Sequence, residues 1–140
     1  KKVIETSTYN HNFFVIDGEP TGPNLRVQFG FDAVAKSQIA PNGAIEGRRL
    51  SYVNELKAGQ TVMSEFTGFG GESKDYEFRV ENRKTGAGVR VTGDKPLSKV
   101  IFWSIRSVLS PEPYISIKIA PGESFSWTIR YEFYELSPSK

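Results

Sequence analysis

A chain of 140 residues, with 38% hydrophobic and 24% charged side chains, has the size and composition of one globular domain and not of a disordered segment. Its net charge of +2 is too balanced to favour nucleic acid or an anionic membrane as a partner, and no apolar run approaches the roughly 18 residues of a membrane span. Cysteine is absent, which excludes disulfides and cysteine-ligated zinc but leaves the compartment open.

Strand-like alternation of apolar and polar residues begins at the start of the chain. The opening stretch KKVIETSTYNHNFF reads as a strand, and NLRVQFGFDA, RRLSYVNEL and TVMSEFTGF are the next candidates. No segment carries a sustained apolar stripe at helical spacing. FGGESKD is a loop, but it lacks the ending and the following helix of a phosphate-binding loop. Because strand structure starts at once, we expect the chain to be a portion of a longer protein.

The second half of the sequence gives the clearest strands. YEFRVENRKTGAGVRVTGD predicts a hairpin, and the apolar run at residues 100–103 favours a central strand buried on both faces. Residues 114–120 and 124–136 alternate around a Pro-Gly turn, so we predict that they pair. The sequence therefore predicts a single all-β domain over residues 1–140, an antiparallel β-sandwich of about nine or ten strands. The last strand should lie at or near the centre of its sheet and bury one face, formed by Phe125, Trp127, Ile129, Tyr131 and Phe133.

Histidine occurs once, between two asparagines, as His11. A histidine suits general acid–base work near neutral pH, and the alternative is a hydrogen-bonded, inert residue at the end of a strand. Carboxylates are the second candidates, and for Asp17, Glu19 and Glu123 we favour solvated positions in turns. Glu112 differs from these three, because the prolines on both sides of it in SPEPY fix its backbone.

Several side chains suited to binding a sugar lie close together in the sequence after residue 100. Aromatic rings stack on the apolar faces of sugars, whereas arginine and asparagine bond sugar hydroxyls. Tyr114 and Arg106 are candidates of these two kinds, and Arg106 cannot easily be buried without a partner. We favour a core position for Trp103. One histidine and no cysteine leave only carboxylates as metal ligands, so we expect no metal site.

Two stretches resemble the galactose mutarotases (aldose 1-epimerases). YNHNFF resembles the NHxYF segment of that family, and PEPYISIKIAPGESFSWTIRYEFY is similar to its closing pattern of a proline-bearing loop, a strand, PGE and a last strand. In that family the histidine is the general acid that protonates the ring oxygen of the sugar, so the resemblance gives this role to His11. It also implies a supersandwich of which this chain is similar to the C-terminal half only. No cofactor is implied, since opening an aldose ring needs only an acid and a base.

The chain departs from that pattern at the catalytic base. The family has a glutamate a few residues before the proline-bearing loop, where this sequence has Arg106 and no acid before Glu112. An arginine cannot act as a base at neutral pH, so Glu112 takes this role only if the loop folds it inward. Asn10, Arg106 and Tyr114 are then the expected contacts to substrate hydroxyls.

The function expected from these residues is carbohydrate binding by a galactose mutarotase-like protein, with interconversion of aldose anomers in its intact form. A non-catalytic carbohydrate-binding module on the same fold is the alternative, and a purely structural β-sandwich is the third reading. If part of a larger sandwich is missing, apolar surface or strand edges should be exposed, and a homo-oligomer should cover them.

Overall fold

Two antiparallel β-sheets make up the part of the chain that the structure, a computed structural model, describes, which is residues 2–137. Sheet A has five strands in the order β1-β10-β9-β6-β3, and sheet B has six in the order β11-β8-β7-β2-β5-β4. The prediction of an all-β antiparallel sandwich is confirmed. The strands are β1 (Ile4–Tyr9), β2 (Leu25–Phe29), β3 (Val34–Ala35), β4 (Gly43–Glu46), β5 (Arg49–Tyr52), β6 (Val62–Thr67), β7 (Glu77–Asn82), β8 (Ala87–Gly93), β9 (Lys99–Ile105), β10 (Val108–Ile119) and β11 (Ile129–Glu135).

The core lies between the two sheets, because each strand sends alternate side chains inward. In β9, for example, Val100 and Phe102 are buried, and in β7 Phe78 and Val80 are buried. Burying a side chain of this size stabilises the fold by about 1.5–3 kcal/mol, so the alternating pattern fixes which face of each strand turns inward. Within residues 2–137, no helix is both long and apolar enough to cross a membrane.

Several strand predictions agree with the structure, but the centre of sheet A differs in one respect. The hairpin predicted at YEFRVENRKTGAGVRVTGD is β7 and β8, which pair in register from Glu77 opposite Thr92. Strand β9 is central, between β10 and β6. It is buried on one face only, however, because Ile101 and Trp103 point outward and remain partly exposed. The prediction of a core position for Trp103 is therefore wrong.

The prediction that the last two long strands pair with each other is also wrong. Strand β10 pairs with β1 and β9 in sheet A, whereas β11 pairs with β8 in sheet B, so the chain crosses between the sheets after residue 119. Strand β11 lies at the edge of its sheet, so the prediction of a central or near-central position is wrong. Trp127 and Tyr131 are each 38% exposed and Phe133 is 82% exposed. The predicted burial is therefore wrong for these three residues, because alternation carries no information on whether another sheet lies across from a strand.

Candidate functional site

The segment that carries His11 crosses a gap in the ladder between β1 and β10. The ladder runs from Ile4 opposite Ile119 to Tyr9 opposite Tyr114, and it resumes in the same register with Phe14 opposite Leu109. Leu109 exchanges backbone hydrogen bonds with Phe14, so alternate residues of β10 after it turn the same way. Those residues are Pro111 and Pro113, which have no N–H to donate. Residues 10–13 therefore keep the register without joining the ladder.

This register places His11 opposite Glu112 on the outward face of sheet A. Nδ1 of His11 lies 3.2 Å from Oε1 of Glu112, and the Glu112 residue is only 6% exposed whereas the imidazole is 42% exposed. Burial raises the pKa of the Glu112 carboxyl above its ordinary value, and His11, the Ser110 hydroxyl and Lys99 offset part of this effect. The structure thus joins a poorly solvated carboxyl to an imidazole that water or a ligand can reach.

Aromatic rings surround the imidazole and the carboxyl. Tyr9 stacks on Tyr114 with ring centroids 4.3 Å apart, and the rings of Phe13 and His11 form a T-shaped contact with centroids 4.3 Å apart. Trp103 lies 5.9 Å from Phe13, between ring centroids, and the Lys99 ammonium sits 4.2 Å from the centre of the Tyr114 ring. We call this outward surface of β1, β10 and β9 the aromatic face. Its members are Tyr9, His11, Phe13, Lys99, Trp103, Glu112 and Tyr114.

The two asparagines beside His11 point the other way, toward sheet B. The Asn10 amide donates to the hydroxyl of Tyr131 at 3.2 Å, and the Tyr131 hydroxyl donates to Oδ1 of Asn12 at 3.0 Å. Tyr131 belongs to β11, so these bonds tie the segment of sheet A that carries His11 to the edge strand of sheet B. Tyr131 therefore anchors the segment on which His11 lies.

Three of the five candidate residues come together, and two do not. His11, Glu112 and Tyr114 belong to the aromatic face. Asn10 points to the opposite side of the segment that carries His11, where it is bonded to Tyr131. Arg106 lies in the turn between β9 and β10, where its guanidinium is 2.8 Å from the carboxylate of Glu55 and both side chains are about half exposed.

Arg106 lies apart from the aromatic face because nearness along the chain does not give position on the sheet. Arg106 follows the β9 run in sequence, but a turn lies at the end of the sheet and not on its face. Sequence reasoning likewise missed the contributions of Tyr9, Phe13 and Lys99. The strand register would have indicated them. Once β1 is paired with β10, alternate residues of YNHNFF lie opposite alternate residues of SPEPY.

The aromatic face is an open surface. A cavity of about 480 Å³ lies elsewhere, at the end of sheet B, and is lined by Arg26, Arg83, Lys84, Thr85, Gly86, Leu136 and Ser137. A ligand beside His11 would therefore lie against the sheet and not inside an enclosed pocket. Among residues 2–137, no group of three or more histidine and carboxylate side chains is placed to hold a metal ion.

A scan against protein-family models gave no match to this chain, and searches of curated proteins and of solved structures gave none either. The function of the aromatic face is therefore argued from its own geometry.

Proposed function

We propose that the chain binds carbohydrate on the aromatic face. A sugar presents apolar C–H groups on its ring faces and hydroxyls at its rim, so a site for it combines aromatic rings with a few polar groups. Phe13 is 58% exposed and Tyr9 is 41% exposed, which leaves ring surface open for stacking. The imidazole of His11 and the carboxyl of Glu112 stand between these rings as hydrogen-bonding groups.

The observation that carries the proposal is the 3.2 Å contact of His11 with a buried carboxyl in the middle of exposed rings. On an ordinary exposed sheet face, a carboxylate is solvated or paired with arginine or lysine. Glu112 instead has one imidazole in contact and aromatic neighbours. The open shape of the surface favours binding over enclosed catalysis, because closed active sites exclude water from the reacting groups.

The test is titration calorimetry of the protein with a panel of neutral monosaccharides and oligosaccharides, followed by two matched variants. Phe13→Ala removes a ring from the aromatic face, and Phe133→Ala removes an even more exposed phenylalanine from β11. Losing one stacking ring of about 1.5 kcal/mol corresponds to roughly a tenfold weaker Kd. We expect this loss in Phe13→Ala and no change in Phe133→Ala. Absence of binding across the panel, or equal losses in the two variants, would overturn the proposal.

Interconversion of aldose anomers is the second candidate, and the His11–Glu112 pair is what favours it. An acid must protonate the ring oxygen and a base must take the proton of the anomeric hydroxyl. At 3.2 Å the two groups leave no room for a sugar between them. The ring oxygen and the anomeric hydroxyl are bonded to the same carbon, however, so an adjacent acid and base can reach both from one side.

Polarimetry of freshly dissolved aldoses tests this second candidate. General acid–base assistance is typically worth about 10²–10⁴ in rate, so His11→Gln should slow conversion by that order while thermal unfolding stays unchanged. A wild-type protein that binds an aldose by calorimetry without accelerating conversion excludes the enzyme and leaves the binding module standing.

A further inference from the structure

Strand β11 leaves a row of backbone hydrogen-bonding groups open. It spans seven residues, whereas β3 and β4, at the far edges of the two sheets, span two and four. The carbonyl of Thr128 accepts from the N–H of Asp94 on one side of β11, and the N–H of Leu136 donates to Gly86. The even-numbered residues of β11 therefore turn their backbone groups to β8. Ile129, Tyr131 and Phe133 turn theirs to the open edge.

The sequence of β11 is complementary to itself when it is read in both directions from Tyr131. Arg130 and Glu132 flank Tyr131 on the outward side, and Ile129 and Phe133 flank it on the inward side. In an antiparallel pair centred on Tyr131, each Arg130 faces Glu132 of the other strand, and each Ile129 faces Phe133. Opposite charges and aromatic–β-branched pairs are both favourable across a sheet.

We propose that β11 pairs with β11 of a second copy of this chain, antiparallel and with Tyr131 on the two-fold axis, so that the two copies of sheet B become one continuous sheet. We infer that the partner is a second copy because the charges of Arg130 and Glu132 are complementary to those of an identical strand. Moving the axis by one residue along the strand places Arg130 opposite Arg130 or Glu132 opposite Glu132, and like charges directly opposite destabilise a sheet. Only the register centred on Tyr131 makes both charge pairs attractive.

The local contacts of β11 are compatible with this pairing. Glu132 receives the Arg90 guanidinium on Oε2, at 2.9 Å, which leaves Oε1 for Arg130 of the second copy. Within residues 2–137, Arg130 makes no ion pair, so it is available. Phe133, at 82% exposure, would be covered by Ile129 of the second copy. Pairing would satisfy the open backbone groups and shield the most exposed large apolar side chain described.

Charge variants followed by sedimentation velocity test the partner. We expect the wild type to form a concentration-dependent dimer. Arg130→Glu places carboxylates opposite each other, Glu132→Arg does the same with guanidinium groups, and each variant alone should dimerise at least tenfold more weakly. An equal mixture of the two variants restores both attractive pairs, so it should dimerise as the wild type does. A monomeric wild type, or a mixture no better than its components, would overturn the proposal.

Cysteine cross-linking tests the register even if a charge variant folds poorly. The chain has no cysteine of its own, so any disulfide reports an introduced pair. Positions 130 and 132 would face each other as a pair without backbone hydrogen bonds, where Cα atoms lie about 4.5 Å apart, within disulfide range. A mixture of Arg130→Cys with Glu132→Cys should therefore cross-link on mild oxidation more than ten times faster than either variant alone. Faster cross-linking within a single variant would contradict the register.

Discussion

Glu81 and Glu112 are both buried glutamates on the outward face of a sheet, yet their surroundings differ. On sheet B, Glu81 is 4% exposed, and its carboxylate accepts hydrogen bonds from the Arg26 guanidinium, at 2.9 Å from Nε, and from the hydroxyl of Tyr134 at 2.7 Å. On sheet A, Glu112 is 6% exposed and has the imidazole of His11 as its contacting ionisable group. The two carboxyl groups are therefore equally buried, but Glu81 is paired with a permanently charged guanidinium and Glu112 with a half-exposed imidazole.

Glu77 on sheet B shows the same contrast with Glu112. On sheet B, Glu77 bonds Arg79 and Arg90, and Arg90 also bonds Glu132, so charges are matched along four neighbouring residues. Arg90 and Arg79 hold the pKa of Glu77 below its ordinary value. On sheet A, burial raises the pKa of Glu112. A matched charge network stabilises a surface, whereas a carboxyl with a raised pKa among exposed rings is typical of a site that meets a ligand.

The largest effect should come from breaking the buried pair on sheet B. Glu81→Gln leaves the Arg26 guanidinium without its counter-charge, and we expect the free energy of unfolding to fall by about 2–3 kcal/mol. Glu132→Gln, at the exposed end of the same surface, should cost less than about 1 kcal/mol. Chemical denaturation measures both. Carbohydrate affinity should be the same in the two variants, and a loss of binding in Glu81→Gln at a temperature where it is folded would contradict the division of roles between the sheets.

The second effect is a pH dependence of opposite sign on the two sheets. A carboxyl whose pKa is raised on folding contributes stability at low pH that is lost as the pH rises through its folded value. The stability of the wild type relative to Glu112→Gln should therefore fall as the pH rises from the ordinary value of 4.5 through the raised folded value. For Glu77, whose pKa is lowered, the stability is present above 4.5 and is lost as the pH falls through the folded value.

Thermal unfolding of the wild type, Glu112→Gln and Glu77→Gln from about pH 3 to pH 7 measures these differences. The difference in melting temperature between wild type and Glu112→Gln should move in favour of the variant as the pH rises. The difference in melting temperature between wild type and Glu77→Gln should instead move in favour of the wild type as the pH rises through the folded pKa of Glu77 toward 4.5. If both differences in melting temperature changed in the same direction with pH, Glu77 and Glu112 would not differ in the way described.

The smallest effect concerns the positioning of His11. Tyr131→Phe removes the hydroxyl that bonds Asn10 and Asn12, which should cost about 1 kcal/mol of stability and weaken carbohydrate binding several-fold through a looser His11 segment. Tyr134→Phe is the matched control, because it removes a phenol hydroxyl that bonds Glu81 on sheet B. Calorimetry should show the affinity loss in Tyr131→Phe alone. Equal carbohydrate affinities in the two variants would show that Tyr131 does not position His11 for binding.

The fold class was accessible from the sequence because alternation and turns are local signals. The β7–β8 hairpin and the central position of β9 follow from residues close together in the chain. The pairing of β11 with β8 does not, since the adjacent Pro-Gly turn equally suits a hairpin with β10. Whether Phe133 is covered depends on what lies across from an edge strand, and alternation cannot show this.

Part of the candidate site was also accessible, for a physical reason. The prolines around Glu112 marked an unusual backbone, and the structure shows that they interrupt the ladder to β1 beside His11. The contacts of Arg106 and Asn10 depended on which end of a strand and which side of it each residue occupies. These features follow from long-range register, which a single sequence does not display.

The most direct test of the central claim uses nuclear magnetic resonance, because the chain has one histidine and two tryptophans. The imidazole signals of His11 and the indole signals of Trp103 report on the aromatic face, and the indole of Trp127, beyond the turn after β10, serves as the internal control. Titration with the carbohydrate that binds most tightly in the calorimetric panel should shift the His11 and Trp103 signals with one common Kd and leave Trp127 unchanged. Saturable shifts of Trp127 without shifts of His11 and Trp103 would contradict the account.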